Sequence, residues 1–261
     1  MAKPGSGKIR ADQLLVDQAL AGSRSRAQAL IMAGKVFTDH ERIEKPGQQI
    51  SATTCLRLRM PDHPWVSRGG IKLAAAFSLW PLEAKGSVIA DLGASTGGFC
   101  DVLLHHGAKR VHAVDVGRGQ LHERLRRDPR INIHERVNAR YLDADCIPDQ
   151  LDGLTCDVSF IGLDKILPMP MQLVRKGGWL VALVKPQFQL ARQLVGKGGI
   201  VRDPALHAQA CTNACKAVGS QDGWRVIAVA PCPIQGSNGN QEFLLYAQKD
   251  ADLPSNTNPI L

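Results

Sequence analysis

From residue 87 to residue 184 the chain repeats one rhythm, a short apolar run followed by a stretch of helical periodicity. Residues 87–90, 110–114, 131–134 and 179–184 read as buried strands, and 68–79, 98–106, 120–127 and 164–176 as the helices around them. Strand alternating with helix in this way implies a parallel sheet wrapped by helices on its two faces, which predicts an α/β fold. Asp203-Pro204 pairs an N-cap with a first-turn proline and opens a further helix to about Val218. Strands at 225–230 and 242–247 follow. Residues 231–241 between them carry no helical periodicity, which predicts an antiparallel pair at the end of the sheet.

Ahead of this pattern the character changes. Pro61-Asp62-His63-Pro64 is a turn-rich break, because each proline holds its predecessor extended. We divide the chain into a small basic α+β domain (8–60), a linker (61–66), the α/β domain (67–248) and a loose tail (249–261). In the first domain Leu14, Leu15 and Ala19 mark a short helix from about residue 10. Ser23 caps a second, striped by Ala27, Leu30 and Ile31 and stopped by Gly34, and β-like runs follow at 35–38 and 56–60. Residues 1–72 hold twelve of the 32 Lys and Arg but six of the 24 acids, so most of the +8 net charge sits at this end. Such a balance favours a polyanionic partner, while 5% aromatic residues argue against reading bases mainly by stacking.

With 44% hydrophobic residues the 261-residue chain can bury a sizeable core, which excludes a disordered tail protein. Its seven cysteines are scattered with no C-x-x-C, which excludes a disulfide framework and a zinc ribbon. Cys211 and Cys215, one helical turn apart, lack further ligands, so no metal is expected. The longest apolar run, 179–184, is far below membrane-spanning length, and the polar start at 1–13 has no apolar core of a leader. The expectation is a cytoplasmic protein without a membrane partner.

Asp91-Leu92-Gly93-Ala94-Ser95-Thr96-Gly97-Gly98-Phe99 follows one apolar strand and opens a helix, where a glycine turn brings backbone N–H groups to a ligand. Its spacing is G-x-x-x-G-G, not the pyrophosphate fingerprint or a P-loop. The helix N-terminus suits the carboxylate of a smaller cofactor. Asp115 ends the next strand, 22 residues beyond Gly93, where a carboxylate accepts hydrogen bonds from ribose hydroxyls. Turn and acid together point to a nucleoside cofactor; tight strand–helix packing is the plainer use of the same glycines.

Ligands in open α/β sheets bind beyond the carboxyl ends of the strands, and Lys185 lies there, directly after 179–184. Asp157 follows the weaker run 153–156 or begins a strand through 158–161. Glu242 heads the last strand after Gly236-Ser237-Asn238-Gly239-Asn240, and Lys72 lies in Ser67-Arg68-Gly69-Gly70-Ile71-Lys72-Leu73. Taken singly, each has an ordinary reading as a solvated lysine, a strand-edge glutamate or a turn-capping aspartate.

Taken in order, Arg68-Gly69-Gly70-Ile71-Lys72-Leu73, Asp91 to Phe99, Asp157-Val158-Ser159-Phe160-Ile161, Val184-Lys185-Pro186-Gln187-Phe188 and Asn240-Gln241-Glu242-Phe243-Leu244 resemble the TlyA/haemolysin A family over about residues 8–248. That family joins an RNA-binding domain, of the type found in ribosomal small-subunit protein four, to an FtsJ-like methyltransferase domain. The resemblance implies a Rossmann-like S-adenosylmethionine-dependent methyltransferase sheet and 2′-O-methylation of a ribosomal RNA ribose, of cytidine by the same likeness. It implies a tetrad of Lys72, Asp157, Lys185 and Glu242. The cofactor would be held by Asp91, Gly93, Ala94, Ser95, Thr96, Gly97, Gly98, Phe99 and Asp115. Cys100, Gly162, Gln189 and Ala11 depart from the family's usual residues, none of them in the tetrad.

A ribose hydroxyl is a poor nucleophile until its proton leaves, so the protein must direct that proton and align the displacement. The assignment is Lys185 as base, Asp157 and Lys72 as its orienting partners, and Glu242 as anchor for the second lysine or the ribose. Ser23-Arg24-Ser25-Arg26-Ala27-Gln28 places two arginines and polar groups at a helix start, suited to phosphate. Arg10, Arg24, Ser25, Arg26, Gln28, Lys35 and Arg68 are the candidate contacts to ribosomal RNA. Arg124, Arg126, Arg127 and Arg130 either extend that track or form a solvated face, and residues 196–202 are a loop that closes over substrate or a plain connection. The rivals are a non-catalytic RNA-binding ribosome factor, a membrane-active haemolysin, and a methyltransferase for small molecules or proteins.

Overall fold

The computed structural model describes residues 7–39, 41–58, 63–236 and 239–250. Arg59 and Met60 of the expected strand, Pro61-Asp62 of the break, Ser237-Asn238 of the turn before Glu242 and the tail beyond residue 250 lie outside them. The chain divides after Pro64 into two compact units.

The first unit holds β1 (Lys8–Arg10), α1 (Ala11–Asp17), α2 (Arg24–Met32), β2 (Val36–Phe37), β3 (Gln49–Ser51) and β4 (Arg57–Leu58). β1 pairs antiparallel with β3, and β2 with β4. The Ser23 side chain accepts from the Arg26 N–H at 3.2 Å and so caps α2, and Gly34 takes φ +66° just beyond it. Ala19, read as part of the first helix, lies past its end at φ +55°. The strands β1 and β3 escape the sequence reading because three residues carry no periodicity. Leu14, Leu15, Ala27, Ile31, Val36, Ile43 and Leu56 form this unit's core.

The second unit runs through α3 (Gly69–Leu79), β5 (Val88–Leu92), α4 (Gly98–His105), β6 (Arg110–Asp115), α5 (Glu123–Arg126), β7 (Ile131–Glu135), β8 (Leu151–Cys156), α6 (Leu163–Ile166), α7 (Pro168–Gln172), β9 (Val174–Val184), α8 (Pro186–Gln189), α9 (Pro204–Gly219), β10 (Trp224–Pro231) and β11 (Phe243–Lys249). Its sheet has the order β10-β11-β9-β8-β5-β6-β7, with β11 antiparallel to both neighbours and the remaining pairs parallel. Successive residues feed opposite faces: Ile89, Val111 and Val181 join the core under α3 and α4, while Ala90, Leu154 and Ala182 join the one that includes Ala214 and Val218 of α9. Asp157 falls at the end of β8 and does not begin a strand.

The expected helix at 164–176 is two short helices followed by a strand. Pro168 occupies the first position of α7 and ends the ladder of α6, and β9 already starts at Val174, with Gly177 at φ +75° next to the break in its register with β8. The helix expected at 120–127 is the single turn α5. Leu154 is fully buried on the central strand β8. Leu154→Ala is expected to lower the unfolding free energy of this unit by about 2–5 kcal/mol, read as a shifted midpoint in urea.

Candidate active site

The strand order reverses at β5: the chain steps outward to β6 and β7, then returns to place β8 on the other side of β5. A crevice opens at such a point beyond the strands' carboxyl ends. Here the Gly93 N–H donates to the Val114 carbonyl at 2.9 Å and the Asp157 N–H to the Leu92 carbonyl at 2.9 Å, so both post-strand turns are tied to the sheet. Gly93 has φ +79°, and a Cβ there would lie 2.8 Å from the Asp157 carbonyl oxygen. A Cβ on Gly98 would lie 2.7 Å from the Gly70 nitrogen. Glycine at 98 therefore lets the start of α3 touch the start of α4, and that contact carries Lys72 to the crevice.

A cavity of about 380 Å³ is lined by Lys72, Asp157, Lys185 and Glu242 together with Gly93, Ala94, Ser95, Thr96, Gly98 and Phe99. The Lys72 Nζ donates to Glu242 Oε2 at 2.6 Å and to Asp157 Oδ2 at 3.4 Å. The Lys185 Nζ stands 2.6 Å from Asp157 Oδ1 and donates to the Ser159 hydroxyl at 3.0 Å. Lys72, Lys185 and Glu242 are only 9%, 6% and 2% exposed. Burial works against the Lys72 charge, but Asp157 and Glu242 outweigh it and raise its pKa. Burial likewise opposes the Asp157 charge, and Lys185 and Lys72 outweigh that, holding its pKa below the usual carboxylate range. Four groups from α3, the end of β8, the end of β9 and the start of β11 thus form one cluster of two amines and two carboxylates.

A second cavity of about 530 Å³ shares Gly93, Ser95, Asp157 and Ser159 with the first. Val114, Val116, Val137, Ala139, Ile161 and Ile166 make much of its wall apolar, and Asp115 lies on its rim. Asp115 accepts from the Ser95 N–H at 2.8 Å and the Gly117 N–H at 2.7 Å, which fixes the carboxylate while each oxygen keeps a lone pair.

Residues 65–249 match the family described as FtsJ-like methyltransferase, and residues 9–53 match the S4 domain. The chain is 40% identical over 246 residues to the 16S/23S rRNA (cytidine-2′-O)-methyltransferase TlyA of Mycobacterium tuberculosis, covering 94% of this chain and 91% of that one. It is 36% identical over 239 residues to Hemolysin A of Brachyspira hyodysenteriae, covering 91% and 99%. A solved structure described as a "putative hemolysin" from Streptococcus thermophilus superposes with a TM-score of 0.70 at 39% identity, over 96% of this chain and 93% of that one. The chain belongs to the TlyA/hemolysin A family. Among the described residues no helix is long and apolar enough to cross a membrane.

Within this TlyA-type architecture two of the residues named from the turn do not reach the cavities. Gly97, at φ +92°, packs on Leu121 and Leu125. Asp91 is fully buried beneath the turn, accepting from the Thr155 hydroxyl at 2.8 Å and the Cys100 thiol at 3.0 Å. Arg68 lines the 380 Å³ cavity and donates to the Gln235 carbonyl. In the first unit Ser25, Arg26 and Lys35 are exposed, while Arg10, Arg24 and Gln28 converge on Asp12. Each arginine of the basic cluster has an acidic partner: Arg124 pairs with Asp101, Arg126 with Glu135, Arg127 with Glu123 and Arg130 with Asp128. The 196–202 loop is tethered, since buried Asn240 accepts from the Val201 N–H at 2.9 Å and donates to the Gly199 carbonyl at 2.8 Å. Residue-type reasoning passed over Ser159, Val137 and Phe160; the first and last stand inside a quoted motif, but none belongs to a residue type that announces chemistry.

Burial pushes the Asp91 carboxyl up to about 6, against the two side-chain donors. A buried acid with a raised pKa binds its proton more tightly in the folded state, so its contribution to stability falls as pH rises from the unfolded value toward 6. Asp91→Asn is therefore expected to gain thermal stability relative to the parent chain between pH 4.5 and 7, measured by melting across that range.

Proposed function

We propose that this chain transfers a methyl group from S-adenosylmethionine to a ribose 2′-hydroxyl of ribosomal RNA, with cytidine as the target and the first unit holding the RNA. The observation that supports this most is the meeting of Lys72, Asp157, Lys185 and Glu242 beside the glycine turn. The methyl donor fits the paired cavities on their own terms: the apolar wall of Val116, Val137, Ala139 and Ile161 suits an adenine, the fixed Asp115 carboxylate suits ribose hydroxyls, and the flat turn at Gly93 leads from there to the tetrad. Gly93 to Thr96, Gly98 and Phe99 would hold the amino-acid end, with Asp91 and Gly97 supporting the turn from beneath. When bound, S-adenosylmethionine supplies a methyl group already activated on a sulfonium.

The protein's task is then to place the hydroxyl and take its proton. Lys72 is kept charged by two carboxylates and serves to fix Asp157 and Glu242. Lys185, tied to Asp157 and to the Ser159 hydroxyl, is the amine assigned as base: it first gives up its own proton to solvent and, as the neutral amine, takes the proton of the ribose hydroxyl as that oxygen attacks the methyl carbon, while Asp157 aims it. Phe160 stands 90% exposed at φ +69° on the rim of the larger cavity, its ring centroid 5.3 Å from that of Phe188. A large apolar side chain held outward in a disfavoured backbone conformation offers a face for the target base.

Purified ribosomal subunits from a strain lacking the enzyme, incubated with the chain and labelled methyl donor, should acquire the label on one or a few ribose 2′-oxygens. Label on base atoms, on protein, or on neither subunit would refute the reading. Lys185→Met should reduce kcat by about 10²–10⁴-fold while calorimetry shows cofactor affinity unchanged. Phe160→Ala should weaken productive RNA binding by ~1–3 kcal/mol with little effect on cofactor affinity.

A further inference from the structure

Asp12 is fully buried at the start of α1, and its carboxylate takes four hydrogen bonds. Arg10 donates through Nε to Oδ1 at 2.9 Å and through Nη2 to Oδ2 at 2.8 Å; Arg24 Nε and Gln28 Nε2 both donate to Oδ2, at 3.2 and 2.9 Å. One acid thus gathers three candidate RNA contacts from two segments, the end of β1 and the first turns of α2. The side chains of Arg10 and Arg24 remain 41% and 51% exposed, so their guanidinium planes are fixed on the inner edge and open to solvent on the outer one.

Charge alone does not account for this arrangement. A surface built only to attract phosphate would do better without a carboxylate that cancels one of two positive charges. A guanidinium held in a fixed plane, however, presents its remaining N–H groups as a ready fork and loses less side-chain freedom when a phosphate oxygen arrives. Resting on the reading of this unit as RNA-binding, we infer that Asp12 is a positioning residue for RNA, one that orients Arg10 and Arg24 toward the phosphate backbone and touches no RNA itself. Its charge is secure at any pH where the enzyme works, because the Arg10 hydrogen bond, against burial, holds the carboxyl well below the usual range.

The test uses the full-length chain, unmodified ribosomal subunits and, as an unstructured polyanion, poly(U). Asp12→Asn keeps the shape and adds one net positive charge. The expected result is an apparent KM for subunits raised about tenfold with kcat unchanged, poly(U) affinity unchanged or tighter, and the α1 and α2 amides as protected from hydrogen exchange as before. In an Arg10→Gln/Arg24→Gln background the same substitution should have no further effect on KM. Subunit affinity that holds steady, or that tightens in parallel with poly(U), would overturn the inference. So would a loss that persists without the arginines or comes with lost amide protection, since Asp12 would then act through the fold. If the arginine pair itself leaves subunit affinity intact, the RNA-binding reading of this face fails first, and recognisably so.

Discussion

The Asp157 carboxylate, shared between two buried ammonium groups, is the interaction around which the second unit is arranged. Each oxygen faces a different lysine, 2.6 Å to Lys185 and 3.4 Å to Lys72, and Glu242 takes up the remaining demand of Lys72 at 2.6 Å. Two amines brought this deep without partners would lose their charge, and two carboxylates would gain protons. Paired as a set they offset one another's cost of leaving water, and any single deletion leaves an unpaired group in a nearly dry place. Such a cluster contributes little to stability compared with an apolar core, so its presence is best understood through the chemistry of the cavity it lines.

That cluster can form only because the backbone lets distant segments approach. Lys72 and Glu242 are 170 positions apart, yet the lysine arrives because α3 rests directly on the glycine turn through Gly70 and Gly98. Asp157 arrives because β8 pairs with β5 and its turn crosses the bare Cα of Gly93. The glycines thus serve both readings open at the level of sequence. They allow tight packing, and that packing is what shapes the floor joining the two cavities.

The parallel sheet, its antiparallel end and the strand-end positions of Lys185 and Asp115 were legible in the sequence, since strand-like runs alternating with helical ones and a glycine turn followed by an acid are local signals. Local signals fail where proline and glycine cut an apparent helix, as between Ile166 and Val174, and at the three-residue strands β1 and β3, which owe their existence to each other. Chemistry was legible only from motifs taken together, because the meeting of Lys72 with Glu242 is a fact of topology. The place of Asp91 in the turn is evident from sequence, but that its side chain lies beneath the crevice depends on the pleat. The arginines of α5 and its surroundings were open to two readings: Arg127–Glu123 and Arg130–Asp128 are local pairs, while the partners of Arg124 and Arg126, Asp101 and Glu135, come from α4 and β7.

Both units use an acid to fix a pair of cations, and the difference in burial decides what each pair can do. Asp12 lies beneath two arginines whose outer edges reach water, so the guanidiniums stay charged and gain only direction, which is what a repeating phosphate backbone rewards. Asp157 lies between two lysines that are themselves enclosed, so direction there comes with desolvation as well. On the proposed mechanism and the proposed role of Asp12, exchanging the residue types would defeat both sites: arginine at 185 could not act as a base, and lysine at 10 would present a point charge where a planar fork is held. The choice of cation at each acid therefore follows from how much water it is allowed to keep.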